Sequence, residues 1–557
     1  MRIKRRAKHE YIITHTRLDM KAQSILLLFL ALCFFCSCST STRKGTNSVS
    51  DGKVLAEIYE AELKKTLNVV VMALPASGHM SPLLAVGEEL VRRGHNVTFI
   101  TTTYSDSENK TREKVRRLGM TYMSAGESIM LSQLTVKGSN SQFSVFGIIE
   151  KITTILPDEI HAIMEYVSNY LVRNSVDVIV GEDFLQTVLL CLANQKSIKT
   201  IMIGTTLQYQ PHTLPSWPWP GLLSGAMSDD PSFLQRWRMA LMNVAFKALF
   251  SNILIAYVIS PIQDYCPSVT LTQASTAPGV YIPHIVPSVI GFEYPRTISP
   301  LTTYVGPILT KSPDPIPKEL QEWLDSKEDQ SVVYVSMGSL MNLNKEKGYA
   351  LLNGVLSTNY SLMWALKTSN QDILNGVEIN DEQTYVSSWA PQLAVLGHRA
   401  VRMAIVHGGM NGIHEALYSE IPLIVMPFSG DQMSNAGRVH HHNLGIHIQE
   451  SDITVSGIAD AIKRVDEGNY RENIKRLKKS FVDAGGVERV ADLIELYDDI
   501  GYSHLIPAYA QHNWSWVQYY NADLYVVLVL LFILVCSLIV RFGSSFMYRN
   551  SIKKKKL

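Results

Sequence analysis

Short apolar runs alternate with amphipathic helical stretches and glycine turns along most of the chain. The first such unit has an apolar run at 69–74, a turn containing Gly78, a helical stretch ending near Gly94 and an apolar run at 95–101. Continuous apolar runs that alternate with helices are typical of parallel β-sheets covered by helices on both faces. The pattern therefore predicts an α/β domain that opens with a βαβ unit at Leu67.

The same alternation continues to about residue 500 and predicts a second α/β domain. Further strands of the first domain are predicted at 177–180 and 199–203. In the second domain, the pattern predicts strands at 331–339, 363–367, 384–387, 403–406 and 421–426, and helices at 458–464, 471–483 and 487–497. The proline-rich segment 293–318 is typical of a connector between domains.

A chain of 557 residues is too long for one hydrophobic core, so two large domains with appendages are expected. The expected order is a signal-peptide region at 1–39, a linker at 40–66, a first domain at 67–300, a second domain at 301–500, a juxtamembrane segment at 501–521, a transmembrane helix at 522–540 and a basic tail at 541–557.

The N-terminal pattern is that of a secretory signal. A basic flank at 1–23 precedes an apolar core at 24–35, and small residues follow. The core is shorter than the roughly 20 residues of a membrane span, and an uncleaved anchor is the alternative. Met20 by itself begins a more typical signal, so the choice between Met1 and Met20 as the start stays open.

The C-terminal pattern is that of a membrane anchor. The apolar stretch 524–540 lies between an aromatic flank and a basic tail, which places the tail in the cytosol and the body across the membrane. Lys554 and Lys555 stand fourth and third from the end, which resembles a dilysine signal for the endoplasmic reticulum membrane. A plain basic flank of the anchor is the alternative.

The composition of the chain narrows its possible partners and covalent modifications. The net charge of +1 gives no reason to expect a nucleic-acid partner. Six cysteines do not form a disulfide scaffold, and only Cys191 and Cys266 fall in the expected body. They can pair if the body is lumenal, but we expect two buried free thiols. Three sequons, at Asn109, Asn359 and Asn513, are candidate glycosylation sites, whereas Asn96 opens a buried strand.

The most informative stretch is 389–432. Its strand at 403–406 runs into the glycine turn His407 to Gly412 and then into a helix. Free backbone N–H groups and the helix dipole make such a turn an anion cradle. Glu415, a turn further on, can accept sugar hydroxyls, and Trp389 offers a flat face for a base. The stretch predicts a site for a diphosphate with a base at one end and a polyol at the other.

This stretch resembles the donor-binding signature of the UDP-glycosyltransferases, which include animal glucuronosyltransferases and plant small-molecule glucosyltransferases. The matching positions are Trp389, Gln392, His407, Gly409, Asn411, Gly412, Glu415, Asp431 and Gln432. A chance glycine turn does not predict so many residues together. The resemblance implies a UDP-sugar-dependent hexosyltransferase with two Rossmann-like domains facing a cleft, the GT-B arrangement.

The resemblance also implies a role for each residue of the signature. Trp389 stacks on uracil, Gln392 bonds the nucleoside and Glu415 accepts the ribose hydroxyls. The other implied contacts are the diphosphate, held by His407, Gly409, Asn411 and Gly412 with Ser339 assisting, and the transferred sugar, read by Asp431 and Gln432. The glycines also serve the turn, and Ser339 also fits a helix cap.

His79 is the candidate general base. It lies in the first strand-to-helix turn, at the sheet edge where ligands bind in open α/β folds. An imidazole suits proton transfer at neutral pH, and Gly78-His79 matches the family's catalytic histidine. A helix-capping histidine is the alternative.

The family pairs this histidine with an acid that follows a later strand, and here two acids stand at that position. Counting without gaps from Asp177 favours Glu182, whereas side-chain type favours Asp183. We expect Asp183 to be the partner, with Glu182 as the alternative, and whichever acid is not the partner to be a solvated loop carboxylate.

No metal ligand or cofactor is expected besides the co-substrate UDP-sugar, because no DxD-like motif stands near the cleft. Residues 440–442 are consecutive histidines, whose side chains point in different directions on a helix, so a solvated surface is expected. The loop 211–221, with Trp217 and Trp219, either lines a pocket for a lipophilic acceptor, touches the membrane or packs locally.

The resulting prediction is a single-pass membrane enzyme that moves a hexose or hexuronic acid from a UDP-sugar to a hydroxyl of a lipophilic small molecule, with inversion. A catalytically silent nucleotide-sugar-binding protein and a nucleotide-sugar epimerase are the alternatives. The sugar, the acceptor and the oligomeric state are left open.

Overall fold

A computed structural model describes most of the chain from residue 65 onward. The described residues are 65–103, 108–128, 156–196, 198–205, 232–234, 237, 241, 262, 264–266, 282–293, 298–338, 343–377, 379–428, 431–506, 517 and 522–555. The predicted signal region, nearly all of the linker, the loop 211–221 and the aromatic flank of the anchor lie outside them.

The first domain is built on a seven-stranded parallel sheet with the strand order β3-β2-β1-β4-β5-β6-β7. Its strands are β1 Asn68–Met72, β2 Asn96–Thr103, β3 Thr121–Glu127, β4 Val178–Glu182, β5 Lys199–Ile203, β6 His284–Val286 and β7 Thr302–Tyr304. Its described helices are α1 Ser77–Arg92, α2 Glu108–Arg117, α3 Leu156–Arg173 and α4 Gln186–Lys196. The order reverses between β1 and β4, which is where open α/β sheets bind their ligands.

The second domain repeats this plan with a six-stranded parallel sheet, in the order β10-β9-β8-β11-β12-β13. Its strands are β8 Val332–Ser336, β9 Ser361–Ala365, β10 Thr384–Ser387, β11 Val401–Val406, β12 Leu423–Val425 and β13 Gly445–His447. Its helices are α5 Lys318–Asp325, α6 Lys345–Leu356, α7 Gln392–Leu396, α8 Met410–Tyr418, α9 Gln432–His441, α10 Val455–Glu467 and α11 Tyr470–Asp483. Here the order reverses between β8 and β11, so the loops after these two strands form the ligand edge.

Helix α12, Gly486–Ile500, leaves the second domain and packs on the first. Val490 and Ile494 are fully buried in the same core as Val69 of β1 and Leu83 of α1. Ion pairs flank this contact, and they join Arg93 to Asp492, His95 to Glu495 and Lys199 to Asp498. The chain's last body helix therefore ties the two domains together.

The strand predictions at 199–203 and 384–387 match β5 and β10 residue for residue. The apolar pattern did not predict β3, because its sequence TYMSAGE is only partly apolar and the strand lies at the sheet edge. It also missed the three-residue strands β6, β7 and β13. β7 pairs with β6 and lies just past the domain boundary expected at residue 300.

After the body, α13 spans Ala522–Lys555. Its part from Ala522 to Ser545 is long and apolar enough to cross a membrane, and none of that window is buried against the protein. Twenty-four helical residues extend roughly 36 Å, more than the roughly 30 Å of a bilayer core. The predicted anchor is thus a single continuous helix.

Candidate functional site

His79 lies in the first turn of α1, directly after β1, at the carboxyl edge of the first sheet. Its Nδ1 contacts a carboxylate oxygen of Glu182, the last residue of β4. β1 and β4 are neighbours in the sheet, so their carboxyl ends bring the two side chains together. The side chain of His79 is 16% exposed and that of Glu182 is fully buried, which leaves the imidazole open on one side.

Of the two candidate acids, the geometry favours Glu182 over the expected Asp183 as the partner of His79, and Glu182 is buried. Glu182 contacts the ring and also accepts the backbone N–H of Leu74, inside the fold. Asp183 begins the next turn, so its carboxylate points elsewhere and bonds the backbone N–H and the hydroxyl of Thr205. Ungapped counting from Asp177 identifies the contacting acid, because β4 runs without interruption to residue 182.

Thr205 is a site residue that the sequence reasoning missed. It lies just after β5, and its hydroxyl is 3.2 Å from Nδ1 of His79, 3.0 Å from Glu182 and 2.8 Å from Asp183. β5 pairs with β4, so the signal available in the sequence was a polar residue at the carboxyl end of a third adjacent strand.

Burial and charge shift the pKa values of this group. Burial by itself lowers the pKa of His79, but the charge of the Glu182 carboxylate and the hydrogen bond to it raise the pKa above its usual value. The pKa of Asp183 is raised by burial and by the negative charge of Glu182. The imidazole is therefore a stronger base than a free histidine.

The turn after β11 holds the residues that the sequence predicts to form a diphosphate cradle. Gly409 is the N-cap residue of α8 and has no side chain to cap this helix N-terminus, a kind of position where free N–H groups bind anions. A Cβ at Gly409 would lie 2.6 Å from the ring of His407, and one at Gly338 would lie 2.5 Å from it. Both positions therefore require glycine. Burial lowers the pKa of His407 to about 4, so this ring is neutral at pH 7.

Gln392 and Glu415, two of the predicted nucleoside residues, are hydrogen-bonded to each other. Gln392 donates to the carboxylate of Glu415 and accepts from the hydroxyl of Tyr334, at 3.1 Å. A Cβ at Gly412 would come within 3.3 Å of Gln392, so a glycine there gives Gln392 room. Burial raises the pKa of Glu415 to about 7, and Trp389 is 56% exposed.

The predicted sugar residues lie at the start of α9. Asp431 accepts a hydrogen bond of 2.9 Å from Asn435, which also donates to the carbonyl of Gly408. Gln432 accepts the backbone N–H of Phe428 at 2.9 Å. Burial raises the pKa of Asp431, and the positive charge of His79 opposes that rise. The two residues therefore interact electrostatically across the cleft.

At this point the two domains are joined by a direct hydrogen bond. The amide nitrogen of Asn411, in the cradle, donates to the carbonyl of Gly78, beside His79, at 2.6 Å. The candidate base and the candidate diphosphate cradle thus face each other.

Some of the predicted residues are not described by the structure or are not part of this site. Ser339 and the loop with Trp217 and Trp219 lie outside the described residues. His440 and His441 are exposed, and His442 contacts the carbonyl of Phe292 at 2.9 Å. Within the described parts of the chain, no group of three or more histidines, cysteines or acids could hold a metal ion.

The expectation of two free thiols in the body is wrong. Cys191 of α4 and Cys266 form a disulfide, with Cα atoms 5.8 Å apart and both residues fully buried. They are 75 residues apart in sequence, so the linear pattern gave no sign that the fold brings them within bonding distance.

The relatives identified by sequence are UDP-glucuronosyltransferases by name. UDP-glucuronosyltransferase 2C1 of Oryctolagus cuniculus is 30% identical over 327 residues, which cover 57% of this chain and 61% of the relative. UDP-glucuronosyltransferase 2B7 of Homo sapiens is 29% identical over 250 residues, which cover 44% and 45%. The matched region therefore spans about half to three-fifths of these relatives' length.

Solved structures match the fold. The glycotransferase of kitacinnamycin superposes with a TM-score of 0.56 at 20% identity, over 78% of this chain and 99% of its own. Os79 from O. sativa, in complex with U2F and trichothecene, gives a TM-score of 0.54 at 18% identity, over 77% and 100%. The predicted GT-B arrangement of two Rossmann-like domains is confirmed.

The family model described as UDP-glucoronosyl and UDP-glucosyl transferase matches residues 67–557. This match takes in both sheets, the cleft and α13. The chain belongs to the UDP-glucoronosyl and UDP-glucosyl transferase family.

Proposed function

We propose that the protein transfers a hexose or hexuronic acid from a UDP-sugar to a hydroxyl group of a lipophilic small molecule, with inversion at the anomeric carbon. The observation that carries this proposal is the contact between Asn411 and Gly78, since it sets an acid-paired histidine opposite a phosphate cradle. The names of the matched relatives, UDP-glucuronosyltransferases, support the same reaction class.

His79 is the general base of this reaction. With Nδ1 directed at Glu182, Nε2 is left to accept the proton of the acceptor hydroxyl. The Glu182 carboxylate fixes the tautomer and stabilises the imidazolium that forms, as in other histidine–carboxylate pairs. The deprotonating hydroxyl then attacks the anomeric carbon from the side opposite the diphosphate, which gives inversion.

The second domain holds the donor and takes up the charge of the leaving diphosphate. The N–H groups at the start of α8, the amide of Asn411 and the neutral ring of His407 hydrogen-bond the phosphates, with Ser339 assisting. The helix dipole adds positive potential at the same place. These donors belong to the chain itself, so the proposed reaction is metal-independent and needs no cofactor.

The remaining signature residues bind the two ends of the donor. Trp389 presents an exposed face to uracil, and Gln392 and Glu415 accept and donate at the nucleoside. Asp431 and Gln432, at the start of α9 and facing His79, contact the sugar hydroxyls. A catalytically silent binding protein would not need the His79–Glu182 pair. An epimerase would not need a membrane helix, so neither alternative is favoured.

We further propose that the enzyme lies in the endoplasmic reticulum membrane with its body in the lumen and its basic tail in the cytosol. The Cys191–Cys266 disulfide requires an oxidising compartment, which the lumen provides. α13 supplies the single span. Lipophilic acceptors partition into the same membrane, so they reach the first domain from the bilayer.

The test uses microsomes that contain the full chain, radiolabelled UDP-glucose and UDP-glucuronic acid, and a panel of hydroxylated lipophilic acceptors. His79→Ala should lower transfer by about 10²–10⁴-fold. UDP binding should stay near the wild-type value, because the cradle lies in the other domain. Wild-type turnover in His79→Ala, or UDP release without acceptor dependence, would contradict the proposal.

A further inference from the structure

The hydroxyl of Thr205 lies between two neighbouring acids. Its oxygen is 3.0 Å from Oε2 of Glu182 and 2.8 Å from Oδ1 of Asp183. The backbone N–H of Thr205 makes a longer contact, 3.2 Å, with the same oxygen of Asp183. Thr205 is 8% exposed and Glu182 is fully buried, so water does not mediate the contact between hydroxyl and Glu182.

Two O···O contacts of this length either each have a hydrogen atom between the oxygens or share a single one in a weaker three-centre bond. A threonine hydroxyl has one hydrogen, and ionised carboxylates can only accept. If both acids were ionised, that one hydrogen would have to serve two negative charges in a buried site. The geometry therefore favours one additional proton, carried by one of the acids.

The surroundings assign this proton to Asp183. Glu182 accepts the N–H of Leu74 and faces the ring of His79, two donors that stabilise its negative charge. Asp183 lies beside that charge, and burial together with Glu182 raises its pKa. Of two carboxyls that share a buried site, the one in direct contact with the imidazole is the one whose anion is favoured, and that carboxyl is Glu182.

We propose that Thr205 is a positioning residue of the transfer reaction and the centre of a proton-sharing chain, Asp183–Thr205–Glu182–His79, in which Asp183 stays in its acid form. The O–H of Asp183 donates to Thr205, and the O–H of Thr205 donates to Glu182. Glu182 is thereby held against Nδ1 of His79 and part of its charge is drawn away from the ring. This inference rests on the proposed role of His79 as the base.

The charge state can be measured at His79 without any sugar transfer. Diethyl pyrocarbonate modifies the free Nε2 of a neutral imidazole, so the labelling of the peptide containing His79, followed by mass spectrometry across pH, gives the midpoint of its ionisation. The titratable groups that face the ring are Glu182 and Asp183 at the end of β4 and Asp431 across the cleft. Glu182 and Asp431 are kept in the variants that follow.

Asp183→Asn should leave the midpoint of His79 within about 0.3 pH unit of wild type, because a neutral acid is replaced by a neutral amide. Were Asp183 ionised, the same change would remove a negative charge near the ring and lower the midpoint by about one unit or more, which would overturn the proposal. The aspartate and asparagine side chains have nearly the same shape, so a folding defect would not explain such a shift.

Thr205→Val should raise the midpoint, since Glu182 loses a donor and acts more strongly on the ring. In the transfer assay it should lower kcat by roughly 10- to 100-fold with little change in the KM for UDP-sugar. Thr205→Ser keeps the hydroxyl and should restore both values. Equal midpoints in the valine and serine variants would refute the role of the hydroxyl. A wild-type enzyme that moves no sugar would refute the proposed function alone, because the labelling profile would still report the proton.

Discussion

The amide nitrogen of Asn411 lies 2.6 Å from the carbonyl oxygen of Gly78, so a residue of the phosphate cradle touches the residue before His79. The two partners are 333 residues apart and lie at the start of α8 and α1, in different domains. The contact fixes the spacing between His79, the candidate base, and the cradle that would hold the leaving diphosphate. A base and a leaving group held in line turn a two-molecule encounter into an intramolecular step.

Asn411→Ala should therefore impair both donor binding and turnover. A hydrogen bond to a charged group is worth about 1.5–3 kcal/mol, so the KM for UDP-sugar should rise by roughly 10- to 100-fold. Asn353→Ala is the matched control, because Asn353 also donates to a backbone carbonyl but does so within α6. An unchanged donor KM in Asn411→Ala would show that the amide serves only the contact between domains.

Glu415 should make donor binding depend on pH. Its pKa is raised to about 7 by burial, and ribose hydroxyls donate to the ionised form. Binding therefore favours deprotonation, so affinity for UDP-glucose should fall as the pH drops below 7, approaching tenfold per unit. The same linkage predicts release of a proton on binding near pH 6.5.

Calorimetry in two buffers with different ionisation enthalpies measures that proton. UDP-glucose is the appropriate ligand, since its diphosphate does not titrate near neutral pH. Glu415→Gln should abolish the part of the pH dependence that arises from this residue, and His79→Ala separates any contribution of the imidazole. Proton uptake instead of release in the wild type would disprove the linkage.

Periodicity predicted the central strands well because parallel strands buried on both faces are continuous apolar runs, as in β5 and β11. It failed for β13, a three-residue strand with a single apolar core residue, Ile446, which is too short for an apolar run. In the site, the cradle is local in sequence and was therefore predictable. Thr205 and the Cys191–Cys266 pair depend on contacts between distant segments, which a linear pattern does not record.

Loss of the disulfide should destabilise the first domain. The bond closes a loop of 75 residues, and removal of such a link typically costs about 2–5 kcal/mol. Cys191→Ala with Cys266→Ala should lower the midpoint of thermal aggregation and speed proteolysis of the first domain. Cys536→Ala is the control, because Cys536 is an exposed free thiol on α13. Equal protease resistance of the double variant and the control would contradict a stabilising role.

Helix α12 follows the second domain in sequence, but it should be required for the stability of the first domain. Ile494 is fully buried in the first domain's core, so Ile494→Ala should cost about 2–5 kcal/mol. Leu496→Ala, two residues further on and 39% exposed, is the matched control. Limited proteolysis should show earlier cleavage in the first domain of Ile494→Ala. Cleavage confined to the second domain would mean that the crossing contact is not a significant source of stability.

The orientation of the chain across the membrane can be tested on sealed microsomes. α13 carries an apolar stretch from Ala522 to Ser545 and then continues through a basic end, and basic residues stay on the cytosolic side. Protease added outside should remove the epitope of an antibody raised against residues 546–557 and leave the body at nearly full size. Detergent should then expose the body to digestion. Digestion of the body without detergent would reverse the assigned orientation.

The two lysines at positions 554 and 555 should determine where the enzyme resides. As a retrieval signal they are read by a cytosolic receptor, which requires both a cytosolic tail and these two positions from the end. As a membrane flank they act only by charge, which Lys553 and Arg549 also supply. Changing both to serine should therefore let the protein reach the Golgi, detected as resistance of any attached glycans to endoglycosidase H. Changing Arg549 and Lys553 to serine removes the same charge and should leave residence unchanged. Equal behaviour of the two double variants would mean that charge alone, and not an address, holds the protein in place.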